Sequence, residues 1–187
     1  MIKRARSILM IVLTAWMFQA CSGNAKKDSL SDANIKQGLP PITVNEDDAK
    51  FAVEAAEIGI NDVELSNFAK GKLGNTRVKD LADLILNDYL KINEELMTIT
   101  TPKNIHFLFS LSGDGQQAKD EWEQKTGNDM DKAYVDKMVR DNEKAIKLYE
   151  DAADDVKDAT IKAFAIKNLP VLKKHLAAIN TVHDSIK

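Results

Sequence analysis

The chain has 187 residues, with 44% hydrophobic residues, 26 basic residues and 29 acidic residues. This length and apolar share are sufficient for one globular domain with a real core. The formal net charge of −3 argues against nucleic-acid binding and against general attraction to anionic membranes, since both need an excess of Lys and Arg. The single cysteine excludes a disulfide within the chain.

Residues 1–20 have the pattern of an export signal. Lys3, Arg4 and Arg6 precede the apolar run Ile8–Phe18, "ILMIVLTAWMF". A transmembrane helix needs about 20 apolar residues, whereas the core of a signal peptide needs roughly 7 to 15. We therefore predict a lipoprotein-type signal peptide over residues 1–20. Its removal leaves 23 basic and 29 acidic residues, a net charge of −6.

The only cysteine, Cys21, follows this apolar run directly. The sequence "FQAC" resembles the lipobox of bacterial lipoproteins, in which the cysteine thiol receives diacylglycerol and becomes the new N-terminus. The alternative is an ordinary cleaved signal with an incidental cysteine. Ser22 is similar to the residues that direct sorting to the outer membrane in some Gram-negative bacteria. We expect an exported protein that is anchored to a membrane through lipid at Cys21.

Residues 21–45 read as a flexible tether between the lipid and the domain. Small and polar residues dominate this segment, and Pro40 and Pro41 oppose a helix near its end. The alternative, a tail folded onto the domain, is restricted to residues 39–44.

Residues 46–187 predict four long amphipathic helices. Asn45, with Asp48 three residues later, favours the start of the first helix, and Asn75 or Thr76 favours the start of the second. Asn128 or Asp129 favours the start of the third helix. Asp158 favours the start of the fourth, in which Pro170 predicts a kink. Apolar residues recur every three or four positions along all four, which is typical of a bundle.

The second and third long helices are joined by a long connection, "KNIHFLFSLSGDG", and by a short helix over residues 116–125. Because the middle of the connection is apolar, we expect it to lie over the domain and to bury Phe107 and Phe109. The predicted fold class is therefore all-α, a four-helix bundle with an extra short helix between the second and third long helices.

Four sequence blocks resemble a known family. They are "DVELSNFAKGKL", "VKDLADLILNDY", "DKAYVDKMVRDN" and "NLPVLKKHL", which occur in this order within residues 47–183. In order and spacing they are similar to the bacterial domain of unknown function 4142, which is often exported or lipid-anchored. The resemblance implies a ferritin-like four-helix bundle at the cell envelope, and it implies no established reaction.

The resemblance also implies a set of polar positions that face the bundle interior. The family usually has an Asp-His pair on the second and third helices and a His after Leu-Pro on the fourth. The matching positions here are Asp88-Tyr89, Asp141-Asn142 and His175, so two of three imidazoles are replaced. The acidic positions of the first helix correspond to Asp62 and Glu64.

Helical periodicity places several polar residues on or beside the inward stripes. These residues are Glu57, Glu64, Tyr89, Asn142 and His175. Together with Asp88 and Asp141 they are the seven polar residues that we predict for the bundle interior, hydrogen-bonded to one another or to trapped water. A ferritin-like dimetal centre takes Glu-x-x-His pairs, and no such pair occurs in this chain. We therefore expect no metal. The alternative is a divalent metal such as iron or manganese bound by Glu64 and His175.

No group of residues in the sequence predicts a catalytic site. We expect a non-enzymatic envelope protein with a binding or structural role, a membrane attachment through its lipid and a possible protein partner in the envelope. The alternative is a ferritin-like metal-binding protein or metal-dependent oxidoreductase.

Overall fold

The computed structural model describes residues 30–186, which form six α-helices and no strand. The helices are α1 (Leu30–Lys36), α2 (Glu46–Lys70), α3 (Thr76–Thr100), α4 (Gly113–Trp122), α5 (Gly127–Asp155) and α6 (Ala159–Ser185). A short 3-10 turn, Thr101–Lys103, follows α3. The all-α prediction is confirmed. The predicted signal peptide and Cys21 lie outside the described residues.

The four long helices α2, α3, α5 and α6 form a bundle. Helix α2 packs against α3 and α5, and α6 packs against α5 and α3. Short turns join α2 to α3 and α5 to α6, while the long connection with α4 crosses from α3 to α5. The predicted four-helix architecture is therefore confirmed. Among residues 30–186, none of the helices combines the length and the apolar character that crossing a membrane requires.

Three of the predicted helix starts are confirmed by capping hydrogen bonds. The side-chain oxygens of Asn45 and Asn75 accept hydrogen bonds from the backbone N–H groups two residues later, at 2.8 Å each. Asp158 accepts from two N–H groups in the first turn of α6, at 3.0 Å each. Such caps satisfy backbone donors that have no partner within the helix.

Two buried carboxylates hold the turns at the two ends of the bundle. The carboxylate of Asp48 accepts hydrogen bonds from the N–H groups of Lys157 and Asp158, at 3.0 and 2.7 Å, instead of from the start of its own helix. At the other end, the carboxylate of Asp131 accepts from the N–H groups of Gly74 and Asn75, at 2.9 Å each. Each carboxylate ties one helix pair to the other.

Residues 30–45 differ from the predicted flexible tether, because they are folded onto the bundle. Residues 30–36 form helix α1, and the Asn34 amide donates to the carbonyl oxygens of Pro40 and Asn104 at 3.2 and 2.8 Å. The N–H of Thr43 donates to the carbonyl of Lys103 at 3.2 Å. The tether prediction is wrong from residue 30 onward, because these tertiary hydrogen bonds hold the segment on the bundle.

The connection between α3 and α4 also differs from the prediction. Phe107 is half-buried, but Phe109 and Leu108 are 69% and 82% exposed. Ile105 takes the buried position of this segment instead. The burial of Phe109 was therefore predicted wrongly. Helix α4 begins three residues before the predicted start, because the Ser112 side chain caps it by accepting from the N–H of Gly115 at 3.3 Å.

Candidate functional site

Among the buried polar side chains, four that come from the four long helices are almost completely shielded from solvent. These are Asp62 of α2, Tyr89 of α3, Asn142 of α5 and His175 of α6, and none is more than 2% exposed. Their helices bury the apolar residues of the core on the same faces. We call these four residues the polar interior cluster.

The Asp62 carboxyl lies in an environment that favours its neutral form. Complete burial raises its pKa well above the ordinary value, and the neighbouring Asp141 carboxylate raises it further. The Lys137 ammonium and the Tyr89 hydroxyl act in the opposite direction and are outweighed. Asp62 therefore takes up a proton more readily in the folded protein than in the unfolded chain.

Lys137 connects Asp141 to the neighbouring helix α4. Its ammonium is almost fully buried and donates to both oxygens of Asp141 at 2.6 Å and to Asp114 at 2.7 Å. Burial alone would lower the pKa of Lys137, but the two carboxylates outweigh it and raise this pKa. Lys137 thus remains charged, and its ammonium holds the Asp141 carboxyl group on the side of the bundle where Asp62 lies.

On α6, His175 pairs with Asp88 of α3. The Nε2 atom of His175 lies 3.1 Å from Oδ2 of Asp88. Burial would raise the pKa of Asp88, but its hydrogen bonds with His175 and Lys91 lower this pKa below the ordinary value. The ring of His175 also contacts the ring of Tyr89, with centroids 5.8 Å apart. Tyr89 therefore lies between the Asp88–His175 pair and Asp62.

Each member of the polar interior cluster has one buried polar atom without a hydrogen-bond partner in the protein. These atoms are Oδ1 of Asp62, the hydroxyl of Tyr89, Oδ1 of Asn142 and Nδ1 of His175. The Tyr89 hydroxyl is close enough to Asp62 to affect its pKa, yet the two groups do not have hydrogen-bond geometry. By contrast, the hydroxyl of Tyr134 pairs with Ser66 Oγ at 2.8 Å. An unpaired buried polar group costs about 1–3 kcal/mol.

Five of the seven residues predicted for the interior are buried or half-buried in the structure. Asp88, Tyr89, Asp141, Asn142 and His175 all lie in or directly beside the interior.

Glu57 and Glu64 are exposed, so their predicted place in the interior is wrong. Together with Lys50 they are spaced by seven residues along one solvent-facing strip of α2. The carboxyl group that α2 does supply to the interior is Asp62, which the sequence indicated only through the family resemblance.

The residues present do not fit the dimetal centre of a ferritin-like protein. Within residues 30–186, no group of three or more His, Cys, Asp or Glu side chains is arranged to hold a metal ion. The unpartnered atoms of the polar interior cluster come from one carboxyl, one imidazole, one amide and one phenol. Glu64 lies on the surface while His175 is buried, so the alternative of a metal shared by these two residues is wrong.

Four exposed apolar side chains lie beside α2, two of them on α3 and two on the connection that follows α3. They are Leu90 and Met97 of α3, 49% and 42% exposed, together with Leu108 and Phe109 of the connection. Leu90, Met97 and Phe109 line one groove, whose wall on α2 includes Glu64. We call the four residues the apolar flank.

The fold and the polar interior cluster define an all-α protein, a four-helix bundle with polar residues buried at its centre. A family model described as a domain of unknown function (DUF4142) matches residues 37–182. The chain therefore belongs to this family, as its four sequence blocks predict. Comparisons with the curated proteins and with the solved structures gave no match.

Proposed function

We propose that this chain is an exported lipoprotein of the cell envelope, whose bundle has a non-enzymatic binding or structural role. The observation that carries the proposal is the position of Cys21. The only cysteine directly follows a basic leader and an apolar run of signal-peptide length, and the first described helix begins nine residues later. Ser22 supports an outer-membrane location in a Gram-negative bacterium.

A binding or structural role is supported by the way the polar residues are distributed. A catalytic acid, base or nucleophile must reach the atoms of a substrate. Tyr89 and His175 are each only 1% exposed, and Asp62 is 2% exposed. The apolar flank, in contrast, presents large side chains to the outside, which is typical of an interaction surface.

The proposal is tested by following the lipid and the location of the protein together. Bacteria that express the full chain are grown with an alkyne-labelled fatty acid, and the protein is recovered from membrane and soluble fractions. The expected result is label on the wild-type protein in the membrane fraction. The Cys21→Ser variant should carry no label and should leave the membrane. Ser22→Ala is the matched control, because it keeps the thiol. An unlabelled, soluble wild-type protein would contradict the proposal.

A further inference from the structure

The connection between α3 and α4 exposes apolar side chains that are not needed to hold the connection on the bundle. Ile105 is buried at the start of this segment, and Asn61 holds its end by two hydrogen bonds with Ser112, at 2.8 and 2.9 Å. Between these fixed points, Leu108 and Phe109 extend outward. Their exposure is thus a feature of a fixed segment, and such contiguous apolar surface marks a contact with another partner.

The apolar flank lies close to the point where the chain leaves the bundle towards Cys21. The N–H of Leu30 donates to the Glu46 carboxylate at 2.6 Å, so the chain enters at the N-terminal end of α2. Leu108 shares a groove with Val53 and Phe109 shares one with Ile60. At 1.5 Å per helical residue, these positions are about 10 and 21 Å from Glu46.

The length of the intervening chain allows the apolar flank to reach a membrane that holds Cys21. Nine residue steps separate Cys21 from Leu30, and an extended chain covers at most about 3.3–3.6 Å per step. The reach is therefore about 30 Å, which exceeds the distance from the entry point to either end of the flank. A tether of this length also keeps lipid at a high effective concentration near the bundle.

The charges around the apolar flank indicate what kind of lipid surface it fits. Glu64 and Glu94 line the groove of Phe109, and Glu57 lines the groove of Leu108. Carboxylates at these positions repel an anionic surface. They are compatible with a zwitterionic surface, where Leu and Phe can enter the boundary between headgroups and acyl chains.

We propose that the apolar flank is a second membrane contact, through which Leu108 and Phe109 insert into a zwitterionic lipid surface beside the anchor. The proposal rests on lipid attachment at Cys21. It places the bundle on its α2–α3 side against the membrane and leaves α5 and α6 facing away from it.

The experiment supplies the anchor chemically, so that its outcome does not depend on acylation in the cell. The chain 21–187, which contains every described residue, is coupled through the thiol of Cys21 to maleimide lipid in phosphatidylcholine vesicles. A reporter is introduced by Phe109→Trp, and Ile166→Trp is the matched control on α6, where Ile166 is 53% exposed. The native Trp122 is buried, and its signal in the parent protein is subtracted.

Brominated acyl chains are then used to quench tryptophan that enters the lipid. The expected quenching of Phe109→Trp is at least twice that of Ile166→Trp, and adding Leu108→Asp should reduce it to the control level. Replacing a third of the lipid by phosphatidylglycerol should weaken the quenching. Equal quenching at positions 109 and 166 would overturn the proposal and would leave the flank for a protein partner. Circular dichroism of each variant verifies that the bundle is folded.

Discussion

The buried carboxyl of Asp62 predicts that stability depends on pH in a direction opposite to that of most carboxylates. Because burial and Asp141 raise its pKa, the folded state holds a proton that the unfolded chain has released. The free energy of unfolding therefore falls as pH rises above the ordinary carboxyl pKa of about 3.9. Asp62→Asn has nearly the same shape and cannot ionise, so it removes this dependence.

The magnitude follows from the number of protons involved. While folded Asp62 keeps its proton and the unfolded chain does not, one proton is linked to folding, which corresponds to about 1.4 kcal/mol per pH unit. Over the pH range in which folded Asp62 keeps its proton, the advantage of Asp62→Asn over the wild type should therefore grow as pH rises, by at most about 1.4 kcal/mol per pH unit.

Urea unfolding at a series of pH values measures this difference. The buried Trp122 is a suitable fluorescence reporter, and circular dichroism provides a second probe. Asp80→Asn, on the exposed face of α3, is the matched control and should follow the wild type at every pH. Parallel curves for the wild type and Asp62→Asn would mean that folded Asp62 ionises like an exposed carboxyl, and the raised pKa would then be wrong.

Three further outcomes follow from the interior of the bundle. Tyr89→Phe removes an unpaired buried hydroxyl and should leave the free energy of unfolding unchanged or higher. Tyr134→Phe breaks a hydrogen bond to Ser66 and should lower the free energy of unfolding by about 1 kcal/mol. Thermal melts compare the two variants, and an equal loss of stability in both would count against the hydrogen-bond assignment. Leu81→Asp places a charge at a core position and should abolish the helical circular-dichroism signal. A native melting curve for this variant would show that the buried face of α3 is assigned incorrectly. After aerobic loading with iron, manganese or zinc, elemental analysis should find less than about 0.1 metal ion per chain. If the wild type instead bound one metal ion per chain and the His175→Ala variant bound none, the metal-binding alternative would be restored.

The sequence predicts the long helices well because their starts depend on local chemistry. The caps at Asn45, Asn75 and Asp158 involve only backbone groups within three residues of each cap. The parts that were predicted wrongly depend on contacts that are distant in sequence. Helix α1 is held by a hydrogen bond from Asn34 to Asn104, which lies seventy residues away in the sequence. No local sequence pattern predicts that contact.

The interior residues were predicted correctly on three helices and incorrectly on the fourth for a related reason. Tyr89, Asn142 and His175 lie on helices whose buried residues form one narrow stripe. Helix α2 is buried over a much wider arc, because α4 and the connection also cover it. Periodicity alone therefore does not fix which of its polar residues point inward. It favours Glu57 and Glu64, whereas only the family resemblance indicates Asp62. The seven-residue spacing of charged residues along α2 is the signal that marks its exposed strip.

Mass spectrometry of the N-terminal peptide is the decisive test of the lipid attachment that we propose at Cys21. Protein purified from the membrane fraction and digested with trypsin should yield the peptide from Cys21 to Lys26, with a mass increased by a thioether-linked diacylglycerol. The same peptide with an unmodified thiol, or a peptide that extends upstream of Cys21, would contradict the account.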